Sequence, residues 1–215
     1  MGKVMFVGIA GNAGCGKDTV ADYLVTQHGF EKFALATPIK DGIQAMFNFD
    51  HEMLYGSLKE AVLENLKVTP RVMMQTLGTE WGRETIHPDI WISALQSRIS
   101  DYIDATLEAE PEADIKIVVS DVRFENEADF IRQSLGGGIV VHVLRDAEAK
   151  PVGIVGHISE QIAAVQQQDV QIFNYDSLES LYRSVDGFKE QFFDRGYRAA
   201  DGRYATYGAE GTGVL

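Results

Sequence analysis

The sequence predicts an α/β fold, a parallel sheet with helices on both faces, and three observations carry that prediction. Short apolar, β-leaning runs alternate with helical stretches along most of the chain. The first run, residues 3–10 (KVMFVGIA), passes directly into a glycine cluster and then a helix. Polar residues gather just after candidate strands, where open α/β sheets bind ligands: Gly11 to Thr19, Asp121, Arg145 and Asn174.

The elements follow in order. Residues 18–28 read as the first helix and 30–36 as a second strand. Pro38 opens a helix with Ile39, Ile43, Met46 and Phe47 on one face. Residues 48–68 are mixed and compatible with a helical insertion. Residues 70–85 read as a helix interrupted at Gly78, His87 and Pro88 break it, and 90–105 form another with Ile90, Trp91, Ala94, Leu95 and Ile99 as its apolar residues. Residues 108–114 are an acidic loop. A buried strand at 115–120 (IKIVVS) ends on Asp121, a helix covers 125–135, Gly136 to Gly138 turn, and 139–144 (IVVHVL) is another buried strand. Residues 145–168 are polar and less regular, 170–174 (VQIFN) form the last strand, and 178–193 the last helix. The chain thus reads as one domain over 1–215. Its core lies at about 1–48 and 112–193, with an insertion at about 49–111 and an unassigned tail at 194–215.

Composition narrows the function. The hydrophobic share of 45% suits a globular domain, and no apolar run is long enough to span a bilayer. The start, MGKVMFVGIAGNAG, does not read as a signal peptide, because its short apolar stretch runs into the glycine loop. The single cysteine, Cys15, excludes an intrachain disulfide and fits a reducing compartment. The net charge of −13 argues against nucleic-acid and anionic-membrane partners, whose binding needs basic surfaces. It leaves room for a cleft governed by a few local cations acting on small anions.

The glycine cluster is a phosphate loop. Gly11, Asn12, Ala13, Gly14, Cys15, Gly16 and Lys17 match GxxxxGK, followed by Asp18 where Ser or Thr is usual, and then Thr19. Glycines let successive backbone N–H groups point into one concavity, and the helix start behind them favours anions. Lys17 adds a charge able to reach the β- and γ-phosphates. Asp18 stands where a hydroxyl normally ligates Mg²⁺, and can act directly or through water. The loop places the sheet among the P-loop NTPases and implies ATP and Mg²⁺. Cys15 reads as a small residue filling a loop position.

Two further stretches are rich in polar groups. In TPRVMMQTLGTEWGR (69–83), Arg71, Gln75 and Gly78 recur at near-helical spacing. An arginine clamps phosphate through two donors, and a glutamine amide can read a base edge. In VVSDVRFENE (118–127), Asp121 stands at a strand end, where a second acid of P-loop proteins organises Mg²⁺ and water, and Arg123 follows two residues later.

With PIKD, PDIW, GGGIVVHVLR and HISE, these segments resemble the bacteriophage deoxynucleoside monophosphate kinases, in family order over about residues 4–185. The resemblance implies ATP-dependent conversion of a deoxynucleoside monophosphate to its diphosphate by direct in-line transfer, in the cytoplasm of an infected bacterium. It implies that the 49–111 insertion binds the acceptor and that about 146–168 form a lid. Lys40 and Arg71 would meet the acceptor's phosphate, while Gln75 and Trp91 would shape the base pocket. Asp121 and Arg123 would lie near Mg²⁺ and the transferring group, with Arg145 and the 150–160 region, including Glu160, over the phosphates. A homodimer is compatible with this reading. Two alternatives stay open: a P-loop kinase of another small phosphate, of the phosphomevalonate type, which shares the GKD loop and Asp-x-Arg, and a P-loop ATPase or nucleotide-binding regulator without an acceptor. The absence of an NKxD motif disfavours a GTPase. Trp81 and Trp91 read as core residues. His157 reads as structural, and the other histidines lack metal-ligand spacing.

Overall fold

The computed structural model describes residues 2–134, 137–145, 163–194, 197–198 and 204–205. Among them, β1 (Val4–Ala10), β2 (Glu31–Phe33), β3 (Ile115–Val122), β4 (Ile139–Leu144) and β5 (Val170–Phe173) form one sheet in the order β2-β3-β1-β4-β5. Every pairing in it is parallel. A separate antiparallel pair joins β6 (Tyr197–Arg198) and β7 (Tyr204–Ala205).

Strand periodicity divides the core in two. Alternate residues of a strand face opposite ways, so Met5, Val7 and Ile9 of β1 pack on one face with Val118, Val141 and Val143. That face is covered by α1 (Lys17–His28) through Val20, Ala21 and Leu24, and by α7 (Leu178–Lys189) through Leu181, Val185 and Phe188. Phe6 and Ala10 face the other way with Ile117, Val119 and Val140. There α2 (Thr37–Phe47), α5 (Ile90–Ala109) and α6 (Glu125–Arg132) cover the sheet through Ile39, Ile43, Leu95, Ala128 and Ile131. Burial on both faces is why β1, β3 and β4 read as continuous apolar runs.

Several boundaries differ from the sequence expectations, each for a local reason. The second strand is only three residues long, because it is an edge strand that pairs with β3 alone. Met46 and Phe47 are exposed: α2 ends at Asn48 in a left-handed conformation, and Phe49 takes the buried place instead. Gly78 does not interrupt its helix. α4 (Pro70–Thr76) widens into a π-helix over Leu77–Ile86, with Gly78 buried against Ile39. The 48–68 stretch holds only α3 (His51–Leu54) and a 3₁₀ turn at Ser57–Glu60, with a bridge from Leu63 to Val68. α5 extends to Ala109, which draws Glu108 out of the expected acidic loop, and α6 stops at Arg132. Asp121 lies inside β3 rather than after it. α7 passes at Lys189 into a π-turn, Glu190–Asp194. Trp81 is 47% exposed and is not a core residue.

A buried polar knot ties residues 163–169 to α6 and β4. Asp169, with a fully buried side chain, accepts from Arg132 Nε at 3.0 Å and Nη2 at 2.7 Å, and His142 Nε2 lies 3.0 Å away. Glu125 accepts from Arg132, Gln166 and the Ala164 amide. Burial alone would raise the Asp169 pKa; the bonds from His142 and Arg132 outweigh it and hold the carboxyl below its ordinary value. A lowered carboxyl pKa gives stability that is present above the unfolded value and lost as pH falls through the folded one. Asp169→Asn is therefore expected to cost about 3 kcal/mol at neutral pH, as for a broken buried pair. In thermal melts, the gap from wild type should close as pH drops below about 4. A gap constant from pH 7 to pH 3 would show that the Asp169 charge is not the source.

Candidate phosphoryl-transfer site

The carboxyl ends of the strands converge on one rim, where residues 11–16 link β1 to α1. Gly16 caps α1 in a left-handed conformation (φ 106°), and a Cβ there would lie 2.6 Å from the Asn174 amide nitrogen. Asn174 donates to the Cys15 carbonyl at 2.8 Å, and its own amide bonds the Leu144 carbonyl, so the loop is pinned to β4 and β5. Cys15 is buried in the core beneath the loop. A cavity of about 380 Å³ opens beside it, lined by Gly14, Thr19, Arg145, Asn174, Asp176 and Leu178, together with Lys17 and Asp18. Arg145 reaches over the loop, its Nη1 3.5 Å from the Gly14 carbonyl.

Lys17 is nearly buried and folds back to donate to the Asn12 carbonyl at 2.6 Å. Its pKa is lowered, first by burial and also by Arg123, while Cys15, Asp18 and Asp121 act against the shift. An anion in the loop would relieve that cost. Asp18 is 81% exposed and pairs with Lys32 at 3.2 Å, which also holds Asp22 at 2.9 Å. Asp121 accepts from the Leu35 and Ala36 amides at 2.8 and 2.9 Å, one on each oxygen. It thereby fixes the loop after β2 to the middle of the sheet.

Beyond the loop, Lys40 lies 3.8 Å over the Tyr55 ring. Burial, and next the Lys59 ammonium, bring its pKa down to about 8, against the pull of Asp121 and Asp18. Arg71 pairs through Nε with Glu60. Gln75 is buried one turn further along α4. Trp91 lies in the core rather than lining an open cleft: it is 6% exposed and donates to the Gly78 carbonyl at 2.7 Å. A Cβ on Gly82 would lie 2.6 Å from its ring, so only glycine admits that approach. Glu160, His157 and the expected lid up to residue 162 lie outside the described residues.

Sequence reasoning did not single out the pair joining the two walls. Arg83 Nη2 donates to Glu127 Oε1 at 2.5 Å, and Glu127 Oε2 accepts from the Arg123 and Phe124 amides at 2.7 and 3.0 Å. The guanidinium sits 4.2 Å from the Phe124 ring. Burial pushes the Glu127 pKa up, although Arg83 and the two amides oppose this. Both residues lie within the LGTEWGR and SDVRFENE segments, but only the tertiary contact shows them as partners. Lys32, Lys59, Asp176 and Leu178 carried no pattern that marked them. Arg83→Met should leave Glu127 buried without its partner and cost about 3 kcal/mol in a denaturant titration. A loss below 1 kcal/mol would show the pair to be dispensable.

A phosphate loop on a parallel sheet, with Arg123 and Lys40 among the cations around it, defines a P-loop protein. The chain belongs to the deoxynucleotide monophosphate kinase family, whose sequence model matches residues 5–67 and 49–185. It is 28% identical over 189 residues to a putative deoxynucleotide monophosphate kinase of Acanthamoeba polyphaga mimivirus, covering 85% of this chain and 94% of that one. It is 33% identical over 105 residues to the deoxynucleoside-5′-monophosphate kinase of Escherichia phage T5, covering 49% of this chain and 36% of that one. A dephospho-CoA kinase from Campylobacter jejuni is similar at a TM-score of 0.42, with 14% identity over 88% of this chain and 97% of that one. An overlap that slight bears on neither fold nor function. No helix among the described residues is long and apolar enough to cross a membrane.

Proposed function

We propose that this protein transfers the terminal phosphoryl group of ATP to a deoxynucleoside monophosphate, giving the diphosphate by direct in-line displacement. The observation that supports the reading is the gathering of cations around the loop. Arg123 acts on Lys17, Lys17 and Lys40 both feel the carboxylates of Asp18 and Asp121, and Lys59 lies near both Lys40 and Arg71. Phosphoryl transfer needs alignment and charge neutralisation more than covalent help. The loop amides and Lys17 hold the donor's β- and γ-phosphates. Lys40 and Arg71 hold the acceptor's phosphate, and Arg123, fixed through Glu127, serves the group in transit. Arg145 covers the donor phosphates from the rim.

The donors at the loop suit a hard divalent cation, since Asp18 and Thr19 supply oxygens beside the phosphate cavity. Asp18 and Thr19 would hold Mg²⁺, with Asp121 acting through water, and the metal would neutralise phosphate charge. Lys32 keeps the Asp18 carboxylate at the loop meanwhile. The substrates are small molecules, and turnover would take place in the host cytoplasm.

The test is ADP release against a panel of ribo- and deoxynucleoside monophosphates, with mevalonate 5-phosphate included. Release should require a deoxynucleoside monophosphate and should stop on chelation of Mg²⁺. Release that is the same without acceptor would make the protein an ATPase, and preference for mevalonate 5-phosphate would move it to another kinase type.

A further inference from the structure

The acceptor wall holds more positive charge than the motifs account for. Lys40, Lys59, Arg71 and Arg123 come from α2, the Ser57–Glu60 turn, α4 and the segment after β3, and Lys59 lies close enough to act with each of the other three. The nearby carboxylates are otherwise engaged: Glu60 pairs with Arg71, Asp18 with Lys32, and both Asp121 oxygens accept backbone amides. Lys40 rests on an aromatic ring. Among the described residues, no hydrogen bond or ion pair holds the Lys59 ammonium. Crowding like charges in a partly buried cleft is unfavourable unless an anion joins them.

The Ser57–Glu60 turn is fastened to α3 at one end and to α4 at the other. The Ser57 amide donates to Glu52 Oε2 at 3.2 Å, and Glu60 grips Arg71 at Nε. Glu60 thus pairs with the guanidinium, while the neighbouring Lys59 lies near enough to be influenced by it. Lys59 adds to the positive field that Arg71 makes, while Glu60 occupies an edge of the fork that a phosphate would use.

We propose that Lys59 is a further binding residue for the acceptor's phosphate, and that Glu60 is an internal carboxylate which occupies Arg71 until that phosphate displaces it. This rests on the acceptor reading of Arg71 given above. The acceptor phosphate then finds Lys40, Lys59 and Arg71 already gathered, and Glu60, whose paired side chain is already 45% exposed, turns outward to solvent. A lowered Lys59 pKa, set first by burial and then by Arg71, agrees with a cation held for an anion. The carboxylate gives the site a cost to overcome, so an acceptor that carries no phosphate dianion would be held poorly.

The test compares Lys59→Ala, Lys59→Arg and Glu60→Gln with wild type. The acceptor is whichever of dGMP, dAMP, dCMP or dTMP the wild type turns over fastest. Its affinity is measured by calorimetry and its kinetics with each substrate varied in turn. Lys59→Ala should weaken acceptor binding about tenfold, the loss of one charge-assisted contact, and leave the KM for ATP within about twofold. Lys59→Arg should restore most of it. Glu60→Gln keeps an acceptor oxygen but removes the competing charge, so acceptor affinity should rise severalfold. Unchanged acceptor affinity in Lys59→Ala would overturn the Lys59 role. Weaker binding in Glu60→Gln would overturn the displacement idea and make the turn a brace for Arg71. Wild-type protein that turns over no deoxynucleoside monophosphate would defeat the acceptor reading itself, before any variant is compared.

Discussion

Replacing Lys17 with Met should lower turnover by about a hundredfold or more, on the scale of losing one preorganised donor to a transition-state oxygen. The fold should survive. The Lys17 side chain is nearly buried, its charge is disfavoured there, and its one hydrogen bond in the described structure is to the Asn12 carbonyl of the same loop. Met fills a similar volume without that charge, so the melting temperature should stay level or rise. The loss should appear in kcat more than in acceptor KM, because the role proposed for Lys17 is on the donor phosphates. Near-normal kcat in folded Lys17→Met protein would show that the loop is not the site of transfer.

Arg71→Lys should weaken use of the acceptor by about tenfold or more, roughly the loss of one charge-assisted hydrogen bond at 1.5–3 kcal/mol. Lysine keeps the charge but cannot reproduce the planar fork. The KM for ATP should hardly move, since the proposed ATP site is the separate loop at residues 11–19. Steady-state kinetics with each substrate varied in turn decides the matter. Equal shifts in both parameters, or none in either, would remove Arg71 from the acceptor site. The kinase reading would then lean on the loop and the Asp121–Arg123 segment, which other small-molecule kinases share.

The sequence by itself determined the sheet and its loop. Residues 3–10, 115–120 and 139–144 read as strands because both faces of a parallel sheet are covered, which makes each run largely apolar. The phosphate loop was legible because its backbone geometry demands glycine at fixed spacing, which leaves a composition that few other structures need. Edges and ends were less legible. The second strand proved short, and Gly78 sits in a widened helix rather than a break, because neighbours across space set those boundaries.

Only the tertiary structure decided how the polar residues divide their work. Asp121 could be read as a metal-organising acid from its place in the sequence, yet its two oxygens accept the Leu35 and Ala36 amides. Asp18 turns to Lys32, fourteen residues away, and Glu127 joins Arg83 across forty-four. Lys59 and Glu60 lie in a stretch without periodicity, and the pairing of Glu60 with Arg71 depends on how the turn folds back on α4. A charge's partner is a matter of distance in space, and a motif records distance only along the chain. The backbone-encoded loop could therefore be read from the sequence, while the side-chain pairs around it could not.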